Sequence, residues 1–115
     1  MRRDEQYLRD ILQAGEEAGQ FLAGVDSVSF LKDRLRRRAV LQLLTEVGEA
    51  ASRLSEEARA LSPTTAWSDI VAFRNIAVHA YFAVNWTTVW ETAVADLPLL
   101  CRQVEEVLKK LDARS

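Results

Sequence analysis

The sequence predicts an all-α, four-helix protein, and three observations carry that prediction. Apolar residues recur at intervals of three and four along nearly the whole chain, the period of one helical face. Glycine and proline number only 4 and 2 among 115 residues, so long irregular loops are not expected. No stretch alternates with a β period, and no internal repeat, low-complexity tract or Gly-rich phosphate loop occurs. The apolar fraction is 49%, that of an ordinary folded protein. A chain of this length buries roughly 65% of its extended surface, enough for one modest core, and residues 1–115 are expected to form a single domain.

The first helix is expected from about Arg3 to Ala23, where Tyr7, Leu8, Ile11, Leu12, Ala18 and Leu22 share a face. Gly24 reads as its C-terminal stop. After Asp26-Ser27 a second helix is expected to run unbroken to about Ala60. Its seam steps through Val40, Leu44, Val47, Ala51, Leu54 and Ala58 to Leu61. Gly48 lies beside that seam, where the lack of a side chain permits another backbone to come close. The joint "SPTT" at 62–65 ends it, because Ser62-Pro63 disfavours continued helix and the hydroxyls can cap the next one.

A third helix is expected over about Ala66 to Phe82. The fourth begins at "NWTT", with Asn85 a candidate cap and Thr88 with Glu91 a rival capping box. It continues through Val89, Trp90, Val94, Leu97, Val104, Leu108 and Leu111, and Pro98 is expected to kink it.

A formal charge of −2 excludes binding to nucleic acid through net charge alone. The local exception is "KDRLRRR" at 32–38, which reads more readily as a solvated helix face than as a phosphate site. The single cysteine, Cys101, cannot form an internal disulfide and favours a reducing compartment. The N-terminal "MRRDEQYLRD" carries no apolar h-region, no run approaches a membrane span of about 20 residues, and a cytoplasmic location is expected.

The chemistry concentrates in "AFRNIAVHAYF", residues 72–82. On a wheel of about 100° per residue, Trp67, Ile70, Val71, Ala77, Val78 and Tyr81 fall on one face with Arg74 among them. Phe73, Ile76 and Ala80 lie opposite, leaving a narrow strip of Ser68, Asn75 and His79. A helix apolar almost all round is either central in its bundle or pressed between a core and a partner. A guanidinium there needs an anion, either an acid such as Glu46 or Glu49 or a substrate phosphate. His79, the chain's one histidine, follows Asn75 by four residues, so Asn75 can orient it. Arg74 and His79 stand about 140° apart, so a common site needs the arginine stem to wrap, the helix to distort near its end, or two subunits to complete it, the last favoured by the double-sided apolar surface. One His and one Cys 22 positions apart make no metal-ligand set, and nucleophile motifs are absent.

The stretch "RNIAVHAY", an arginine followed by four residues, a histidine, one residue and a tyrosine, resembles the signature of HEPN-superfamily proteins, particularly the HepT-like toxins. "VGEAASRLS" at 47–55, Trp67 and "YFAVNWTTVWE" at 81–91 extend the likeness over nearly the full chain. Asn85 stands where many relatives have an acid, and Ala72-Phe73 replaces a common Gly-Met; neither removes a proposed catalytic group.

The resemblance implies an antiparallel bundle of four to five helices dimerising around the motif helix. It also implies a metal-independent RNase in a type VII-like toxin-antitoxin system, needing no cofactor. His79 would be general acid or base, Arg74 would stabilise developing charge, and Asn75 would support them. The implied partner is an MNT-type nucleotidyltransferase that silences the toxin by transferring AMP to Tyr81. An ordinary core aromatic fits Tyr81 equally. The same family likeness admits a non-catalytic HEPN module that binds a nucleotidyltransferase or nucleotide.

Overall fold

The computed structural model describes residues 2–114, and these are helical with no strand among them. Helix α1 spans Arg2–Leu22, α2 Ser27–Lys32, α3 Arg34–Ser52, α4 Glu56–Ala60, α5 Trp67–His79, α6 Trp86–Glu91 and α7 Leu97–Arg114. Two irregular turns complete the order, a 3₁₀ turn at Tyr81–Ala83 and a π turn at Thr92–Asp96.

Helix α1 ends as its glycine requires. Gly24 takes φ +74, a left-handed conformation that a side chain disfavours. On the inner face Leu8 and Ile11 are fully buried and Ala18 nearly so. Helices α1 and α3 run antiparallel. Asp4 accepts from Ser55 N at 2.9 Å and Ser55 Oγ at 2.8 Å, while at the other end Arg36 Nε donates to the Phe21 carbonyl at 2.6 Å.

The long second helix expected from the sequence is instead three pieces. Asp33 adopts an extended backbone, and its carboxylate caps α3 by accepting from Arg36 N at 3.0 Å. A second break follows Arg53, where Ser55 caps α4 by accepting from Ala58 N at 3.1 Å. The apolar seam crosses this break intact, with Ala51, Leu54 and Ala58 all buried, so periodicity alone did not reveal it.

In the joint at 62–65 the Ser62 and Thr65 hydroxyls are 2.6 Å apart. The buried Trp67 indole donates to the carbonyls of Arg59 and Ser62, each at 3.2 Å. Helix α5 ends at His79 rather than Phe82, because Ala80 leaves helical geometry at φ −135, ψ 48. Tyr81 therefore belongs to the next turn, not to the helix that carries Arg74 and His79.

Asn85 is the cap of α6, accepting from Thr87 N at 2.9 Å and Thr88 N at 3.1 Å, and Thr88 lies inside the helix. The chain then passes into α7 through the π turn, where Leu97 N–H donates to the Thr92 carbonyl. Pro98 follows the π turn directly within a backbone that stays helical from Trp86 to Arg114, so the expected irregularity takes the form of that π turn. The extra residue shifts the helical phase. Ala93 and Leu97 point inward, and Val94, expected on the seam, is 42% exposed.

The core lies among α1, α3 and α7, with Phe30 of α2 fully buried against it. Helix α7 runs back along α1, its Cys101 lying against Gly15, and ends near α4 with Arg114 Nη1 at 3.0 Å from Glu57. Helix α5 rests chiefly on α3. Among the described residues no helix is long and apolar enough to cross a membrane.

Candidate active site

Helix α5 is positioned by a glycine. A Cβ placed on Gly48 would lie 2.3 Å from Arg74 Cβ and 3.1 Å from the Ile70 carbonyl oxygen, so only glycine lets α5 settle on α3 at this register. That approach sets the arginine beside the next residue of α3. Arg74 Nη2 pairs with Glu49, and Nη1 donates to Asn75 Oδ1 at 2.7 Å. Arg74 Nε is buried without a hydrogen-bond partner.

Glu49 is shared. It also accepts from Arg53 Nε at 3.1 Å and lies 3.0 Å from Arg53 Nη2. The hydrogen bond from Arg74 holds its carboxyl below the ordinary value of 4.5; burial opposes this, and Arg53 adds to it. Of the two acids considered from sequence, the structure selects Glu49 as the arginine's anchor.

His79 is the last residue of α5 and is exposed, with no hydrogen bond among the described residues. Asn75 does not orient it. The amide oxygen of Asn75 instead accepts from Arg74 Nη1. Arg74 is bonded to Glu49 and Asn75, and no hydrogen bond joins it to His79.

Tyr81 is half-buried in an aromatic group. Its ring meets Phe82 edge-on at 5.7 Å and Trp86 at 6.3 Å, and the Arg38 guanidinium lies 5.4 Å over it. Arg37 lies 4.9 Å over Trp86. Sequence reading missed these two arginines as neighbours of the motif. The available signals were the basic run and the aromatic pair, but their pairing depends on how the 3₁₀ turn folds back on α3.

A groove of about 410 Å³ opens between α3, α5 and α7, bordered by Leu44, Val47, Phe73 and Leu100. None of Arg74, Asn75, His79 and Tyr81 lines it. Among the described residues no group of three His, Cys, Asp or Glu side chains is placed to hold a metal ion.

The all-helical bundle is consistent with the HEPN type. The chain belongs to the ribonuclease HepT-like family, whose model matches residues 11–107. It is 34% identical to a Caldanaerobacter subterraneus subsp. tengcongensis protein named "Putative RNase TTE0752", over 96% of this chain and 98% of that one. It is also 31% identical to a Thermococcus cleftensis protein named "Probable ribonuclease HepT", over 94% and 98% of the two chains. A Methanocaldococcus jannaschii protein named "Putative RNase MJ1380" is 30% identical over 88% of this chain and 93% of its own. No solved structure matches the chain at a significant level.

Proposed function

We propose that this protein is a metal-independent endoribonuclease, the toxin of a toxin-antitoxin pair, acting as a homodimer in the cytoplasm. The observation that carries the reading is the exposed, unpartnered imidazole of His79 at the end of the family's motif helix, five residues after an arginine already held in place. The names of the relatives support RNA as the substrate.

In this mechanism His79 takes the proton from a ribose 2′-hydroxyl, which attacks the adjacent phosphorus while the 5′-oxygen leaves. The same ring, or its copy in the second subunit, returns a proton to that oxygen. Arg74 stabilises the charge gathering on the phosphoryl oxygens, and Asn75 steadies the guanidinium. Imidazole suits the step because it titrates near neutral pH, and arginine because it stays charged. Ile76, 48% exposed on the side of α5 turned away from Arg74, supplies an apolar surface for a second copy.

Tyr81 is the proposed site of AMP transfer by an MNT-type nucleotidyltransferase. Added bulk and negative charge two residues from His79 would keep RNA out. A second reading, a non-catalytic HEPN module that binds the nucleotidyltransferase, draws on the Glu49 pairing that already neutralises Arg74.

Cleavage of tRNA and mRNA by nuclease-free protein in EDTA tests the proposal. Wild type is expected to cut, and His79→Ala and Arg74→Ala to lose about 10²- to 10⁴-fold. Substituted proteins that cut as well as wild type would show the assignment to be wrong. Intact mass after coexpression with the antitoxin tests the switch, since AMP additions must vanish in Tyr81→Phe.

A further inference from the structure

The basic run on α3 is not a uniform solvated face. Arg36 is committed, paired with Asp33 at 2.5 Å and bonded to the Phe21 carbonyl. Among the described residues no carboxylate pairs with Arg34, Arg37 or Arg38. Arg37 and Arg38 are nevertheless held, each by an aromatic ring, and Arg37 Nε is buried without a hydrogen-bond partner. A guanidinium lying over a ring keeps its N–H groups for another ligand.

The ring under Arg38 is Tyr81, two residues beyond His79, and against Tyr81 stands Phe82, which is 100% exposed. A fixed cation with free donors beside a bare aromatic face is the pairing that grips unpaired nucleotides, one group for the phosphate and one for the base.

We infer that Arg38 and Phe82 form a subsite for single-stranded RNA, Arg38 taking a backbone phosphate and Phe82 stacking a base beside His79. Arg34, one turn before Arg38 on α3, extends the phosphate contact along the strand. The inference rests on the ribonuclease reading for its ligand and gives that reading a strand path across Tyr81. It also explains how a chain of net charge −2 can hold a polyanion, through a local patch.

The probe is a short, fluorescently labelled single-stranded 2′-O-methyl RNA, which cannot be cleaved through its 2′-oxygen, titrated by anisotropy at several salt concentrations. Arg38→Gln is expected to weaken binding and to flatten the slope of log affinity against log salt by about 0.7, the loss of one phosphate contact. Arg38→Lys keeps the slope. Phe82→Ala is expected to bind about tenfold more weakly with an unchanged slope, because stacking releases no counterion. Lys109→Gln, on the far-side pair with Glu106, is expected to change neither.

Arg38→Gln and Phe82→Ala proteins that bind like wild type would overturn the subsite. So would a change of sedimentation mass in either variant with RNA binding intact, which would make the stack a contact between subunits. Thermal melts check that each variant folds, and Phe82→Ala, at a fully exposed position, carries the test if Arg38→Gln does not fold. Cleavage of ordinary RNA separates the two claims. Cutting that persists with no Arg38 effect keeps the nuclease and removes the subsite; an Arg38-dependent slope in a wild type that never cuts keeps the subsite and removes the nuclease.

Discussion

Helix α1 leaves Leu8, Ile11, Ala14 and Ala18 at 2% exposure or less, whereas α5 leaves Ile76 and Val78 about half open at 48% and 50%. The contrast runs against composition. Helix α1 is rich in charge yet carries a clean apolar stripe, and α3 and α7 cover that stripe completely. Helix α5 is apolar on nearly every side, and α3 covers one flank of it. Apolar content alone therefore does not tell where a helix sits. What matters is how many neighbours it has, and α5 has one apolar flank more than this chain supplies neighbours for.

The sharpest way to break the comparison is to truncate one isoleucine from each helix. Ile11→Ala removes a fully buried side chain from a packed core, and about 2–5 kcal/mol of unfolding free energy should go with it. Ile76→Ala, measured at a concentration low enough to keep the chain monomeric, should stay within about 0.5 kcal/mol of wild type. The same Ile76→Ala protein should self-associate more weakly in sedimentation. Equal destabilisation by the two substitutions would mean that α5 is as much core as α1.

A middle-sized effect tests how α5 is seated. In Gly48→Ala the new methyl would overlap Arg74 Cβ, an atom fixed by its own backbone and unable to swing aside. Alanine favours helix by up to about 1 kcal/mol, and the overlap should outweigh it, for a net loss of about 1–3 kcal/mol in denaturant melts. Cleavage should fall as well, since α5 must lift and take Arg74 with it. A protein stabilised by the alanine would show that α5 can slide on α3 freely.

These residues also show what was legible before the structure. Gly24 as a stop, Asn85 as a cap and Gly48 as a point of close approach were readable because each acts through its own backbone geometry. Glu49 was readable only as one of two acids, since the register of α3 on α5 decides between them. The break at Ser55 was hidden because buried residues keep their spacing across it. The end of α5 at His79 carries no proline or glycine to mark it, and the π turn before Pro98 exposes Val94 by a phase shift that periodicity assumes away. Arg38 over Tyr81 depends on two segments 43 positions apart meeting, which no local pattern encodes.

The smallest effect distinguishes charge from packing at the α3–α5 contact. Glu49 has its folded-state carboxyl held below the ordinary 4.5, first by the hydrogen bond from Arg74. A depressed value means that the stabilisation is complete above the unfolded carboxyl's range and fades as pH falls through the lower, folded one. With the Glu49 side chain 38% exposed, solvent screens the pair, and its worth should be under about 1 kcal/mol at neutral pH. Glu49→Gln should therefore cost that small amount at neutral pH and almost nothing well below the ordinary carboxyl value, where the native carboxyl is itself protonated and resembles the amide. Added salt should shrink the difference at neutral pH in the same direction. A Glu49→Gln penalty that is equal at both pH values would assign the contact to shape rather than charge, and would leave Arg74's guanidinium effectively unneutralised for an incoming phosphate.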